Sequence, residues 1–155
     1  MNSSHSSQGF TLIELLISIA IMIIIFSIGL YYFYNAKSGS NLSMETDSII
    51  SILEKAKSNA IAGKGGQNYG VNFGANNYTY FGGNSFILNN PGNEVYSVSD
   101  GLSLSNTMSG SGGSVIFSRL TGVPQTTGTI TVTELSTSRT QNVIVGNLGE
   151  IKVIK

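Results

Sequence analysis

The distribution of apolar residues divides the chain into three parts with different periods. After Glu14 no charged residue appears until Lys37, and most positions between them are Leu, Ile, Met, Phe or Tyr. A helix of about 20 such residues spans roughly 30 Å, the thickness of the hydrocarbon core of a bilayer. Residues 10–36 are therefore predicted to form a transmembrane helix, with the polar residues 1–9 in front of it.

A second, amphipathic helix is predicted over residues 42–62. Apolar residues recur there at helical spacing and form one stripe, which consists of Leu42, Ile49, Ile52, Leu53, Ala56 and Ala60. The polar sequence Lys37-Ser38-Gly39-Ser40 interrupts the apolar pattern, so we expect a break or a flexible joint at residues 37–41. The stripe is expected to pack on a sheet formed by the rest of the chain.

Beyond Gly63 the hydrophobic period changes to two, which predicts a β-rich region over residues 69–155. Residues 69–73 and 78–81 predict a hairpin that is closed by residues 74–77. Further short strands are predicted at residues 85–88, 95–98, 102–104, 115–117, 127–133, 141–145 and 150–154. The predicted fold class is therefore α+β. It combines a transmembrane helix with a domain, residues 42–155, in which the second helix packs on a small antiparallel sheet.

The composition limits the kinds of charged surface and active site that the chain can form. The 155 residues have a formal net charge of zero and only 10% are charged, which argues against a broad polyelectrolyte surface. There is no Cys, and the single His, His5, lies within residues 1–9, so the rest of the chain cannot build a Ser-His or Cys-His pair. We expect that the chain is not an enzyme and that it binds neither a cofactor nor a resident metal. Glu94 and Asp100, isolated acids that flank loops, leave a calcium site as a minor alternative.

Glu14 is the unusual residue of the apolar run, because it places a carboxylate one turn inside the predicted transmembrane helix. A charge at that position is costly and usually functional. The alternative is an interfacial glutamate whose side chain extends to the lipid headgroups. Hydropathy alone leaves both interpretations open.

The residues around Glu14 carry a resemblance. The sequence Gly9-Phe10-Thr11-Leu12-Ile13-Glu14-Leu15-Leu16 resembles the prepilin signature of type IV pilins and type II secretion pseudopilins. The resemblance implies that residues 1–9 are a leader, that a prepilin peptidase cuts after Gly9, and that the new amine of Phe10 is N-methylated. It also implies that Glu14 is the filament-assembly glutamate, which meets the amine of a neighbouring subunit.

The C-terminal region carries a second resemblance, to the GspH/FimT-type minor pseudopilins. The sequence at residues 56–61 (AKSNAI) is similar to the end of that family's helix. Residues 115–122 (VIFSRLTG), 128–132 (GTITV) and 147–151 (NLGEI) are similar to its C-terminal strands. The resemblance implies a helix packed on small antiparallel sheets and a minor role in the filament.

Together these resemblances imply a processed, structural subunit that helps to initiate or tip a type IV pilus or a type II secretion pseudopilus. The implied partners are the prepilin peptidase, other pilin or pseudopilin subunits and the inner-membrane assembly platform. The implied location is the cytoplasmic (inner) membrane, crossed once with the C-terminal domain outside, and afterwards a pilus or pseudopilus. A DNA-binding minor pilin for DNA uptake and an adhesive tip subunit remain as alternatives.

The basic residues near the C-terminus bear on the DNA-uptake alternative. The candidates for weak polyanion contacts are Arg119, Arg139, Lys152 and Lys155. Members of the GspH/FimT family that capture DNA carry a basic stretch after a glycine near the C-terminus, whereas this chain has Glu150 after Gly149. Because Glu134 and Glu150 offset part of the positive charge, and affinity depends on the number of phosphates neutralised, we expect little nucleic-acid binding.

Overall fold

The computed structural model describes the backbone of residues 10–110 and 112–154, and it describes their side chains outside residues 30–40. Gly9, the predicted leader and Lys155 thus lie outside the described residues. The described elements are one long helix, a short 3₁₀ helix and eight strands. They are α1 (Leu12–Ile61), the 3₁₀ helix (Lys64–Gly66), β1 (Tyr69–Phe73), β2 (Asn77–Gly82), β3 (Glu94–Ser97), β4 (Leu102–Met108), β5 (Ser114–Phe117), β6 (Gly128–Glu134), β7 (Thr140–Val145) and β8 (Ile151–Ile154).

Helix α1 is continuous over 50 residues, so the expected break at residues 37–41 is not seen. Both prolines of the chain lie elsewhere, at Pro91 and Pro124, and a single Gly such as Gly39 costs a helix only about 1 kcal/mol relative to Ala. The chain nevertheless divides into two compact units, Met1–Ser38 and Gly39–Lys155. A flexible joint within residues 37–41 stays a prediction.

Helix α1 ends one residue earlier than predicted. The N–H of Ala62 donates to the carbonyl of Ser58 over 2.9 Å, and the N–H of Gly63 donates to Ala60 over 3.0 Å. Gly63 itself has a φ of 63°, a left-handed conformation that glycine adopts without the steric cost of a Cβ. Gly63 therefore acts as the C-terminal cap of α1.

The apolar stripe of the second unit is buried as predicted except at Ile52, which is only partly buried. Ile49, Leu53, Ala56 and Ala60 are fully buried and Leu42 nearly so. They belong to one core cluster with residues of both sheets, such as Val71, Phe117, Ile130 and Val143. Burying a side chain of the size of Leu or Ile contributes about 1.5–3 kcal/mol. Packing on the sheets, more than intrinsic propensity, therefore stabilises this part of α1.

Two four-stranded antiparallel sheets complete the domain, in the orders β3-β2-β1-β5 and β4-β6-β7-β8. The predicted hairpin is β1 and β2, with Tyr69 opposite Gly82 and Phe73 opposite Tyr78. At Gly70 a Cβ would stand 2.5 Å from the carbonyl oxygen of Val115 on β5, so only glycine allows the strands to approach this closely. The fold class is α+β, as predicted.

The strand predicted at residues 85–88 is wrong. Those residues belong to the connection between β2 and β3, residues 83–93. The ring of Phe86 packs edge-on against Phe81, with ring centroids 5.5 Å apart, and Asn93 Nδ2 donates to the carbonyl of Ile87 over 2.9 Å. Because local contacts occupy these groups, the segment folds on itself and pairs with no described strand. The other predicted strands form, with β4 extending to Met108.

Candidate functional site

The candidate site is the beginning of α1, where Thr11 and Glu14 form a reciprocal pair of hydrogen bonds. The backbone N–H of Thr11 donates to Glu14 Oε2 over 3.0 Å, and the backbone N–H of Glu14 donates to Thr11 Oγ1 over 3.4 Å. The Thr11 hydroxyl also donates to Glu14 Oε2 over 2.8 Å. This is a capping box, which satisfies N–H groups that the first turn of a helix leaves without partners. The Thr-Leu-Ile-Glu spacing could have revealed it from sequence.

The helix that carries this pair exposes apolar side chains. Leu12–Gly29 is long and apolar enough to cross a membrane by length and composition, a test that signal sequences also pass. Leu12 is 76% exposed and Ile13 62% exposed, and the described apolar residues that follow are exposed as well. A surface of this kind is stable only against lipid or against other apolar helices.

The Glu14 carboxylate has no basic partner among the described side chains. The described ion pairs both lie in the second unit, between Lys55 and Glu94 and between Arg139 and Glu134. The contacts described for Glu14 Oε2 come from Thr11, and none is described for Oε1. A carboxylate that enters an apolar environment without a cation is strongly destabilising.

Phe10 lies in front of the helix and is 84% exposed. It is the first described residue and is not helical, since α1 begins at Leu12. The Phe10 end of the predicted scissile peptide is therefore in a non-helical, accessible segment. Gly9, at the other end, lies outside the described residues, and cleavage and N-methylation stay predictions.

Arg139 forms an ion pair with Glu134, a pairing that the sequence pattern did not predict. Its Nη2 lies 2.9 Å from Glu134 Oε2 and its Nε donates to the same oxygen over 3.0 Å. Thr137 also donates its hydroxyl to that carboxylate. The Glu134 side chain is only 4% exposed, whereas that of Arg139 is 48% exposed. This pairing neutralises much of the charge that Arg139 would offer to a polyanion.

Arg119 and Lys152 lie on different elements. Arg119 follows β5 of the first sheet, and its backbone N–H donates to Asn68 Oδ1 over 2.7 Å. Lys152 lies on β8, an edge strand of the second sheet, opposite Ile144. None of the described hydrogen bonds or ion pairs joins Arg119, Arg139 and Lys152 to one another. Lys155, the fourth predicted contact, lies outside the described residues.

Glu150 precedes β8 rather than beginning it, so the strand predicted from residue 150 begins one residue later. Its own backbone N–H and that of Leu148 hydrogen-bond the carboxylate and lower the pKa of Glu150, with smaller contributions from the positive charges of Lys152 and Lys57. Glu150 thus lies within the electrostatic field of Lys152. The expected local compensation of charge is consistent with this arrangement.

Glu94 and Asp100, the two acids considered as calcium ligands, lie at opposite ends of β3. Glu94 begins β3 and contacts Lys55 Nζ at 2.6 Å, while the Tyr96 hydroxyl donates to it over 2.7 Å. Asp100 follows the other end of that strand. Within the described residues no group of three or more His, Cys, Asp or Glu side chains is placed to hold a metal. The calcium alternative therefore gains no support from geometry.

Comparison with known families gives two matches. The prokaryotic N-terminal methylation motif matches residues 4–30, which include Thr11, Glu14 and the apolar part of α1. The family described as type II transport protein GspH matches residues 45–149, from the second part of α1 to the loop before β8. No curated protein and no solved structure matches the chain significantly. The chain belongs to the GspH family of type II transport proteins and carries, ahead of that domain, the N-terminal methylation motif.

Proposed function

We propose that the chain is a minor pseudopilin that helps to initiate or tip a type II secretion pseudopilus or a type IV pilus. Members of the GspH family are structural pseudopilin subunits rather than enzymes, and they assemble with other subunits of the pilin class after processing by a prepilin peptidase. The methylation motif and the exposed apolar helix favour anchoring in the membrane. The finer part of the proposal is that the subunit lies at the start or the tip of the filament.

The observation that carries the proposal is the incomplete coordination of Glu14. Thr11 and Glu14 both follow the predicted cleavage site, so the capping box remains in a chain that begins at Phe10. The cap holds the carboxylate at the first turn of α1 through Oε2, and no described donor reaches Oε1. In a packed bundle of apolar helices the remaining charge requires a cation. The amine of Phe10 on a neighbouring subunit is positively charged and would lie at a similar depth in the membrane.

This pairing explains why one acid in an apolar helix favours assembly. A single subunit in the bilayer retains an unpaired carboxylate, and a neighbour that presents its amine removes that cost. Leaving one member of a buried pair without its partner typically costs about 3–5 kcal/mol. The pairing would therefore fix the axial position of each subunit relative to the next.

The proposed topology follows from the same features. The subunit crosses the inner membrane once, with residues 1–9 in the cytoplasm and the domain of residues 42–155 outside. The prepilin peptidase cuts after Gly9 and methylates Phe10. The assembly platform and the other subunits then extract the helix from the bilayer into the growing filament.

Two linked measurements test the proposal in a strain that expresses the host peptidase and companion subunits. Mass spectrometry of membrane-extracted protein should show a chain that starts at N-methylated Phe10, and Gly9→Val should block cutting because a branched side chain obstructs the extended backbone. Glu14→Leu should be inserted and cut normally, yet its amount in sheared filaments should fall at least about tenfold, as expected for a loss of more than 1.4 kcal/mol. An intact Met1 terminus in the wild type would overturn the proposal.

A further inference from the structure

The connection between β2 and β3, residues 83–93, covers part of the first sheet on the face opposite α1. Tyr80 belongs to the core cluster that includes α1, so the next residue, Phe81, points to the other face. Phe81 is nevertheless only 1% exposed, because Phe86 of the connection packs edge-on against it. The connection therefore forms a second layer over this sheet.

A groove of about 540 Å³ lies between this connection and the strands. Its floor contains Asn72, Thr79 and Val95, which are direct cross-strand partners on β1, β2 and β3. Asn77 lies two residues before Thr79, on the same face of β2. The volume falls within the range of roughly 300–1,000 Å³ that is typical of small-molecule sites.

Hydrogen bonds within the connection hold the other wall of the groove. The N–H of Gly92 donates to Asn90 Oδ1 over 2.9 Å, and the N–H of Asn93 donates to the carbonyl of Asn90 over 3.0 Å. Asn93 Nδ2 in turn donates to the carbonyl of Ile87 over 2.9 Å. Because these bonds are made by the connection itself, the groove is formed before any ligand arrives.

Several polar groups in the groove have unused hydrogen-bonding capacity within the described part of the chain. The side chains of Asn77, Thr79 and Asn89 take part in none of the described hydrogen bonds. Asn72 donates both amide hydrogens, to Gly112 O over 3.0 Å and to Ser114 Oγ over 2.8 Å, which leaves its Oδ1 available. The groove thus offers amide donors, amide acceptors and a hydroxyl together.

The chemistry of the lining selects one class of ligand. None of the nine described lining residues is charged, five of them are asparagines, and Phe86, Leu88 and Val95 supply apolar surface. A phosphate or carboxylate would find no counter-charge there. Sugar hydroxyls both donate and accept, as side-chain amides do, and the C–H face of a pyranose can pack on Phe86. We propose that this groove binds a neutral carbohydrate.

A peptide fits the groove less well. Extended peptides usually bind by adding a strand to a sheet edge, where backbone N–H and C=O groups are unpaired. The floor of this groove is the face of three strands whose backbone groups already pair with one another. Only side chains are available for recognition, which suits a ligand rich in hydroxyls. The site is independent of the assembly role proposed for Glu14.

The test uses the full chain in micelles of a zwitterionic detergent, because detergents with sugar headgroups would compete. The protein is applied to a printed array of neutral and acidic oligosaccharides, and a retained neutral sugar is then titrated in solution by NMR of the asparagine side-chain amides. Retention should be confined to neutral sugars. Asn77→Ala, Thr79→Val and Asn89→Gly should each weaken binding roughly three- to tenfold, the effect of losing one hydrogen bond.

The variants are chosen to leave the fold intact. Thr79→Val is close to isosteric, and Asn89→Gly keeps the positive φ of 61° at that position. Asn76→Ala is the matched control, because Asn76 is exposed in the same turn as Asn77 but does not line the groove. It should bind like the wild type.

Three results would overturn the proposal: no neutral sugar retained, a preference for acidic sugars, or unchanged binding in all three groove variants. If no neutral sugar is retained while Leu88→Ser reduces incorporation into filaments, the groove is a contact for another subunit. Leu88 is suited to this control because it is 74% exposed at the rim and its loss should not disturb the core.

Discussion

Glu14 and Glu45 both lie on α1, and their surroundings differ. Glu45 is 5% exposed and is bound from the loop after β3, where the Ser99 hydroxyl donates to its Oε2 over 2.6 Å and the Ser99 N–H over 3.1 Å. Glu14 lies among exposed apolar side chains, and its described contacts come from Thr11 of its own first turn. The domain encloses Glu45 and supplies Ser99 as a donor to its Oε2, while its Oε1 is buried with no described hydrogen-bond partner. Glu14 is exposed, and no described residue outside its own first turn binds its carboxylate.

The apolar residues of the two parts of α1 show the same contrast. Leu53 and Ile49 are fully buried in the core of the second unit, while Leu16 and Ile17 are more than half exposed in the first. One helix therefore has a part that is stabilised by its own fold and a part that needs lipid or other subunits. The difference indicates where substitutions should affect folding and where they should affect assembly.

Core substitution should give the largest effect on folding. Leu53→Ala is expected to lower the free energy of unfolding of the domain by about 2–5 kcal/mol, because it leaves a cavity at a fully buried position. Leu16→Ala is the matched control, with an expected change below about 0.5 kcal/mol. Thermal unfolding of the full chain in micelles, followed by near-ultraviolet circular dichroism of the tyrosines, measures both. Equal destabilisation by the two variants would contradict the division of α1.

The contacts of Glu45 should contribute less to the free energy of unfolding than the packing of Leu53. Glu45→Ala is expected to destabilise the domain by about 1–3 kcal/mol, since it removes the buried, charged acceptor of two hydrogen bonds from Ser99. Ser99→Ala removes the hydroxyl alone and should cost about 1 kcal/mol. Chemical denaturation of both variants and of the double variant gives the coupling between them. Fully additive losses would show that Glu45 and Ser99 do not act as a pair.

The surface pair of Lys55 and Glu94 should have a small, pH-dependent effect. The hydrogen bond from Lys55, assisted by one from Tyr96, lowers the pKa of Glu94. The stability from this carboxylate is therefore present above its unfolded pKa and is lost as the pH falls through the lower folded value. Glu94→Gln should reduce the free energy of unfolding by only about 0.5 kcal/mol at pH 7. The deficit should vanish at acidic pH, and a deficit that grows on acidification would have the wrong sign.

We expect nucleic-acid binding to be weak, so the substitutions of basic residues should have the smallest effect of all. Arg139 is paired with buried Glu134, and Glu150 lies in the field of Lys152, so few free positive charges remain among the described residues of this region. Since affinity depends on the number of phosphates neutralised, electrophoretic mobility shifts with the full chain should show little binding at physiological salt. Tight binding that weakens steeply with salt and is lost in Arg139→Ala or Lys152→Ala would favour DNA uptake instead.

The sequence predicted the parts of the fold that depend on periodic patterns. The buried stripe at Ile49, Leu53 and Ala56 and the β1–β2 hairpin follow from helical and alternating spacing. The connection at residues 83–93 was not predictable in the same way, because its short apolar run is used to cover Phe81 rather than to pair in a sheet. Periodicity cannot distinguish these two uses of an apolar segment.

The candidate site was also only partly predictable. The prepilin-like signature indicates Glu14, and the Thr-x-x-Glu spacing by itself is enough to predict its hydrogen bonds to Thr11. The pairing of Arg139 with Glu134 requires knowing that residues 135–139 turn between β6 and β7. The asparagine-rich groove brings together residues from β1, β2, β3 and a connection, and no local pattern reports such an arrangement.

The capping box makes it possible to separate the charge of Glu14 from its hydrogen bonds. Glu14→Gln removes the charge and retains a side chain that can accept from the Thr11 N–H, because Gln also serves in capping boxes. Thr11→Val does the reverse, since it removes the capping hydroxyl, at a cost of about 1 kcal/mol to the first turn, and keeps the carboxylate. Both variants should be inserted and cut after Gly9.

The decisive measurement is the ratio of filament-incorporated to total protein for these two variants in one strain, by quantitative mass spectrometry of sheared filaments and membranes. The expected result is near wild-type incorporation for Thr11→Val and a loss of at least about tenfold for Glu14→Gln, because a neutral amide carries no charge to balance the amine of Phe10 on the next subunit. Wild-type incorporation of Glu14→Gln would contradict the account. It would show that Glu14 caps its own helix and does not join one subunit to another.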